Sequence, residues 1–151
     1  MKWLLLTLCA AASVASATSP AQRLQAYTVE GDAIAKSLTG QPGDAARGAV
    51  LIQQRQKSLC VLCHSGPFPE PHLQGTLAPD LSGIGDRLSA GQLRLRVVDM
   101  KRLNPDSIMP TYHAAIADSN VTRVAKAWRD APILTANEIE DLVAYLQTLR
   151  R

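Results

Sequence analysis

"LCVLCHSG", residues 59–66, sets two of the chain's three cysteines three positions apart and places a histidine directly after the second. Four chemistries compete for Cys60-Val61-Leu62-Cys63-His64, and the surrounding sequence discriminates among them. A structural zinc site needs four ligands, whereas beyond the N-terminal Cys9 the rest of the chain adds only His72 and His113 and no second close pair. A thioredoxin-like redox pair belongs behind a strand in a βαβ pattern, and no such pattern surrounds Cys60. A disulfide between residues so close in sequence staples almost nothing.

The fourth chemistry, covalent attachment of a c-type haem, requires this spacing. Two intervening residues let both thiols add to the two vinyl groups on one edge of the porphyrin, and the adjacent histidine swings under the ring to the iron. The motif therefore predicts one haem, with Cys60 and Cys63 as thioether anchors and His64 as an axial ligand. A haem also completes a core poor in large rings, since the chain holds two Trp, three Tyr and one Phe.

The N-terminus reads as an export signal over residues 1–17. Lys2 supplies the positive end, Trp3 to Val14 is a short apolar run, and Ala15-Ser16-Ala17 has the small-x-small form of a cleavage site. The apolar run is too short to span a bilayer as a helix. Leu8 stands where a lipoprotein signal would need a small residue before Cys9, so cleavage removes Cys9 and leaves Cys60 and Cys63 as the mature cysteines. The predicted compartment is the periplasm, where haem attachment takes place in bacteria. A net charge of +3, lowered by one on loss of Lys2, and the lack of a Lys/Arg block argue against nucleic-acid binding.

Residues 18–46 carry Ser, Thr, Pro and Gly with scattered Tyr27, Val29, Ile34 and Leu38. They read as an extension lying on a surface or on a partner, ahead of a helical domain over 47–151. "AARGAVLIQQRQK" (45–57) has no strand alternation and predicts a helix leading into the cysteines. Four prolines and four glycines in 65–86 forbid a long regular element there. Ser89 with Gln92 forms a capping box ahead of Leu93, Val97 and Met100, predicting a helix over 90–100. Thr135 with Glu138 forms a second, and Ile139, Leu142, Val143, Leu146 and Leu149 line one face of a terminal helix. The fold class is all-α, three main helices around one haem.

Candidates for the second axial ligand are Met100, Met109, His72 and His113. Met100 falls on the apolar face with Leu93 and Val97, where a core role is the simpler reading. His72 sits too close to the attachment site to reach the far face. Met109, between Ile108 and Pro110 in a loop, can be presented to iron by closure of that loop, and His113 is the reserve. Pro79 in "APDLSG" would offer its preceding loop carbonyl to the His64 ring N–H, with Leu81 and Ile84 walling the ring. Arg87 is either a propionate partner or a solvated cation.

In this order, helix, CxxCH, "APDLSG" loop, Met-Pro loop and amphipathic terminal helix, the chain resembles class I cytochrome c. Gly48 and Tyr145 match that family's small and aromatic partners at its helix crossing. The stretches "GDAIAKSLTGQPGDAARG" (31–48), "LCVLCHSGPFPE" (59–70), "GTLAPDLSGIGDRLSAGQLRLRVVD" (75–99), "RLNPDSIMPTYH" (102–113) and "ILTANEIEDLVAYLQTLR" (133–150) are similar to the SoxX subunits of thiosulfate-oxidising systems. Met100 departs from the proline expected there. The resemblance implies a monohaem subunit with His64 and Met109 as ligands, paired with a SoxA-like cytochrome that carries the catalytic haem. It implies further that the pair attaches thiosulfate oxidatively to a cysteine of a SoxYZ carrier, an L-cysteine S-thiosulfotransferase activity, with electrons leaving to an acceptor such as a small cytochrome c. With both mature cysteines consumed by haem, no thiol remains in this chain as a nucleophile, so sulfur chemistry belongs to the partner. A free-standing periplasmic carrier is the alternative, and a gas sensor is disfavoured by the lack of an output domain.

Overall fold

The computed structural model describes residues 24–114 and 131–151. The expected signal segment 1–17, with Cys9, and the first residues of the extension lie outside them. Among the described residues the elements are α1 (Ala45–Leu51), α2 (Cys60–Cys63), α3 (Ile84–Arg87), α4 (Ala90–Asp99) and α5 (Ala136–Thr148). Two 3₁₀ turns, Pro71–Leu73 and Met100–Arg102, join them. The remaining regular pairing among the described residues consists of the isolated bridges Glu30 to Ala33 and His64 to Ala78, so the fold is all-α as expected.

Both capping boxes form. Gln92 N–H donates to Ser89 Oγ while the Gln92 side chain accepts from Ser89 N–H, and Glu138 and Thr135 do the same at the start of α5. Each box satisfies backbone donors that the first turn of a helix leaves without partners. The predicted apolar face of α5, Ile139, Leu142, Val143 and Leu146, is buried against Leu93, Leu95, Val97 and Val98 of α4 in one core.

The helix expected over 45–57 stops at Leu51. From there the N–H groups of Gln53 and Gln54 reach back three residues to Val50 and Leu51, and Ser58 Oγ donates to the carbonyls of Ile52 and Gln54 at 3.2 and 3.3 Å. Tightening the chain in this way buries both Ile52 and Ser58 while Gln53 to Gln56 stay in water. A continued α-helix would not bring Ser58 into the core just ahead of the cysteines.

α1 crosses α5 at the pair seen in the sequence. A Cβ on Gly48 would overlap the Asp141 carbonyl and crowd Tyr145 Cβ, and one on Gly43 would overlap the Glu140 carbonyl. The two backbones touch because these positions lack side chains.

The described part of the extension is joined to this domain. Ile34 and Leu38 belong to the buried core, with Tyr27 and Val29 packed against it. Ile34 N–H donates to Gly91 O at 3.0 Å and Leu38 N–H to Glu140 Oε1 at 2.8 Å. The apolar residues that wanted a surface to cover have one on their own chain.

Two buried charges hold this arrangement. Arg94 forms a two-point pair with Glu140, Nε to Oε1 at 2.7 Å and Nη2 to Oε2 at 2.9 Å, and Arg94 Nη1 also donates to Ile34 O at 2.7 Å. A buried pair is tolerable when its remaining donors and acceptors are occupied, as here, and removing one partner strands the other charge. Glu140→Ala is expected to lower stability by about 3–5 kcal/mol and to expose the extension to protease. Urea melts and limited proteolysis check this; cleavage within 24–43 at the wild-type rate contradicts it.

Candidate functional site

α2 is a single helical turn carrying both cysteines. Leu59 enters it in the left-handed region at φ 63°, which non-glycine residues seldom adopt, and His64 leaves it extended at φ −101° with its N–H on Cys60 O at 2.9 Å. Cys60 and Cys63 form no disulfide with each other. The Cys60 thiol donates to the Ser58 carbonyl at 3.4 Å. Burial pushes this thiol upward from its ordinary pKa.

The Gly/Pro-rich loop runs back along this turn. Gly75 N–H donates to Val61 O, Ala78 N–H to Cys63 O and Leu81 N–H to Ser65 O, at 2.9, 2.9 and 2.8 Å. A side chain at Gly75 would strike the Leu62 carbonyl, so the close approach depends on glycine. Asp80 locks the loop further: Ser82 N–H and Ser65 Oγ both donate to its carboxylate at 2.7 Å. These bonds, from Ser82 first, bring its pKa down to about 2.

The consequence falls on His64. Its Nδ1 lies 2.7 Å from the Pro79 carbonyl, which makes Nδ1 the protonated nitrogen and leaves Nε2 with its lone pair. The bond is to Pro79's own carbonyl rather than the one before it. Arg87 donates to the carbonyls of Ser82 and Asp80 at 2.7 and 3.2 Å and so braces the same loop.

These side chains fit a c-type haem by the chemistry of the donor set. Two thiols without a disulfide stand on one turn, and the next residue presents an imidazole whose orientation is held by the Pro79 carbonyl. Half-buried Cys60, Leu81, Ile84 and Met109 all pack against the core, giving an apolar setting. The zinc chemistry lacks this support, because among the described residues no three His, Cys, Asp or Glu side chains gather into a metal site.

The structure separates the other ligand candidates. His72 is exposed on the 3₁₀ turn Pro71–Leu73. Met100 is half-buried at the start of a 3₁₀ turn rather than in the core. Met109 is half-buried in a loop braced at several points, with Ser107 N–H on Asn104 O, Asp106 N–H on Asn104 Oδ1, Thr111 Oγ1 on Asp99 Oδ1, and Lys101 Nζ donating to Ser107 O. His113, the reserve, is 3% exposed and already engaged. Its Nε2 accepts the Gln25 N–H at 2.9 Å, so Nδ1 carries the proton and faces Leu134 O at 3.5 Å.

Sequence reasoning missed Tyr112 and Ser58. Tyr112 is buried and its hydroxyl donates to the same Ser58 carbonyl that receives the Cys60 thiol. A buried tyrosine signals that its hydroxyl needs an acceptor, but nothing in the sequence identifies which.

A family model described as cytochrome c matches residues 45–150. Among solved structures, the chain is similar to SoxXA from P. pantotrophus at 32% identity and a TM-score of 0.73, over 83% of this chain and 95% of that one. No curated protein matches.

His113 gives the fold an acid limit. Burial pushes its pKa below the ordinary histidine value, so the folded state keeps the ring neutral where the unfolded chain takes up a proton. The stability concerned is complete above the unfolded pKa of about 6.5 and is lost as pH falls below it toward the folded value. In urea melts at a series of pH values, the wild type should lose more stability between about pH 7 and pH 5 than His113→Asn does. Equal slopes in the two proteins refute this.

Proposed function

Because the chain belongs to the cytochrome c family, we propose that it is the monohaem electron-transfer subunit of a SoxXA-type heterodimer, exported to the periplasm by residues 1–17. Cys60 and Cys63 would hold the haem through thioethers, with His64 Nε2 and Met109 as the residues that would ligate its iron. The haem, when bound, supplies one-electron exchange between ferrous and ferric iron. The chain's residues supply the setting. Pro79 O keeps Nδ1 of His64 protonated, which fixes the ring and raises its basicity as a ligand. A methionine ligand raises the reduction potential and suits an acceptor of electrons.

The observation carrying the heterodimer reading is the breadth of the likeness to SoxXA. It extends over 83% of the chain, more than the family segment 45–150, and nearly the whole of the matched chain. The partner would be a SoxA-like cytochrome that conducts the oxidative joining of thiosulfate to a SoxYZ cysteine, while this chain relays the electrons to a downstream acceptor. Exposed Leu62, between the cysteines, and exposed Leu73 and Leu77, on the loop bonded to that turn, leave apolar surface beside the attachment site and support a protein partner there. No helix among the described residues is long and apolar enough to cross a membrane. The extension, packed on its own domain, does not by itself distinguish this role from that of a free-standing carrier.

Gentle purification from the native host, with mass spectrometry of the haem-containing fraction, tests the assignment. A second cytochrome in equal amount is the expected result, and a lone monohaem chain favours the mobile carrier. His64→Ala or Cys63→Ala should yield protein that loses haem or fails to fold; a stable mutant with native helicity and full haem content argues against those roles. Met109→Ala should leave a folded holoprotein whose ferric spectrum shows an open or replaced sixth site. An unchanged spectrum removes Met109 from the ligand set.

A further inference from the structure

Tyr112 follows Met109 by three residues and is 2% exposed. It is fixed at both ends. Its carbonyl accepts the Leu134 N–H at 3.1 Å, the next residue's N–H donates to Val98 O at 3.3 Å, and its hydroxyl donates to the Ser58 carbonyl two residues before Cys60. Ser58 is wholly buried, and its own N–H and hydroxyl are committed to Gln54 and Ile52. Burial pushes the Tyr112 phenol far above its usual pKa, so the hydroxyl remains a donor.

The Ser58 carbonyl has two donors while Cys60 is a thiol, the Cys60 Sγ–H and the Tyr112 hydroxyl. Addition of the Cys60 S–H across a haem vinyl group would put sulfur on one vinyl carbon and the hydrogen on the other, consuming the C=C bond, and would remove the first of these donors. Among the described residues Tyr112 is then the remaining donor to that buried carbonyl, and a buried carbonyl without a donor is costly. Attachment at Cys60 therefore increases the structural demand on the residue that carries the Met109 loop.

We infer that Tyr112 is a positioning residue for the iron's methionine ligand, its hydroxyl tethering the Met109 loop to the attachment turn through the Ser58 carbonyl. This rests on the assignment of Met109 as a ligand. The tether opposes withdrawal of the loop, so it sets how readily an external ligand displaces the methionine.

The test uses ferric holoprotein titrated with imidazole, followed by the near-infrared charge-transfer band of methionine-ligated haem. Tyr112→Phe keeps the ring and removes the donor. It should bind imidazole about tenfold more tightly than the wild type, the effect of one buried hydrogen bond, and show a lower reduction potential. Ile34→Val, a core change in the extension, should lower stability without altering imidazole affinity. Wild-type imidazole affinity in Tyr112→Phe overturns the inference, as does an equal gain in Ile34→Val, which would reduce the effect to general loosening. If Tyr112→Phe yields no holoprotein, 3-fluorotyrosine at position 112 provides a stronger donor and should weaken imidazole binding; no change there also overturns it. Absence of the methionine band in the wild type is a different failure, which removes the Met109 assignment and the tether with it.

Discussion

Two adjacent carboxylates on α5, Glu140 and Asp141, are buried, and the need to satisfy them organises the fold. Glu140 takes the Arg94 guanidinium of α4 and the Leu38 N–H of the extension. Asp141 takes Arg47 Nε and Nη2 of α1 at 2.7 and 2.8 Å and the N–H of Asp44 at 2.7 Å. Burying a carboxylate is costly unless it is paired and its oxygens are occupied. One helical step thus ties four segments together, and the glycines at 43 and 48 let them approach closely enough for the pairing to occur.

This platform explains why the cofactor site consists of loops. The helices enclose an aliphatic core, and the attachment turn, the "APDLSG" loop and the Met109 loop pack along it through backbone bonds. Those bonds leave His64 little choice of orientation. Its ring is held by a carbonyl whose loop is braced in turn by Asp80 and Arg87. On the other side the Tyr112 hydroxyl joins the Met109 loop to the Ser58 carbonyl, just ahead of the same turn of backbone. Through the Ser58 carbonyl the structure connects the half-buried Cys60 thiol with the loop that carries Met109, almost fifty positions later in the chain.

Local signals in the sequence were reliable where local physics decides. Both capping boxes and the apolar face of α5 follow from spacing alone, because they involve residues within one or two turns. The helix over 45–57 was drawn too long because nothing local marks Leu51 as its end; burial of Ile52 and Ser58 marks it. The extension was legible as apolar residues in want of cover, but not as part of this domain's own core. In the sequence Met109 is the first candidate and His113 its reserve, and the Gln25 N–H and the Leu134 carbonyl show that His113 has its bonding supplied elsewhere.

The sequence by itself determined the chemistry: two thiols and an imidazole at the spacing a c-type haem requires, and helices whose ends and buried faces are written in short-range pattern. It determined these because covalent reach and helical periodicity act over a few residues. Tertiary structure decided which carbonyl orients His64, which charges are buried together, where the extension lies and which hydroxyl reaches Ser58. Each of these pairs residues tens of positions apart, and a buried polar group finds its partner only once the whole core has closed around it.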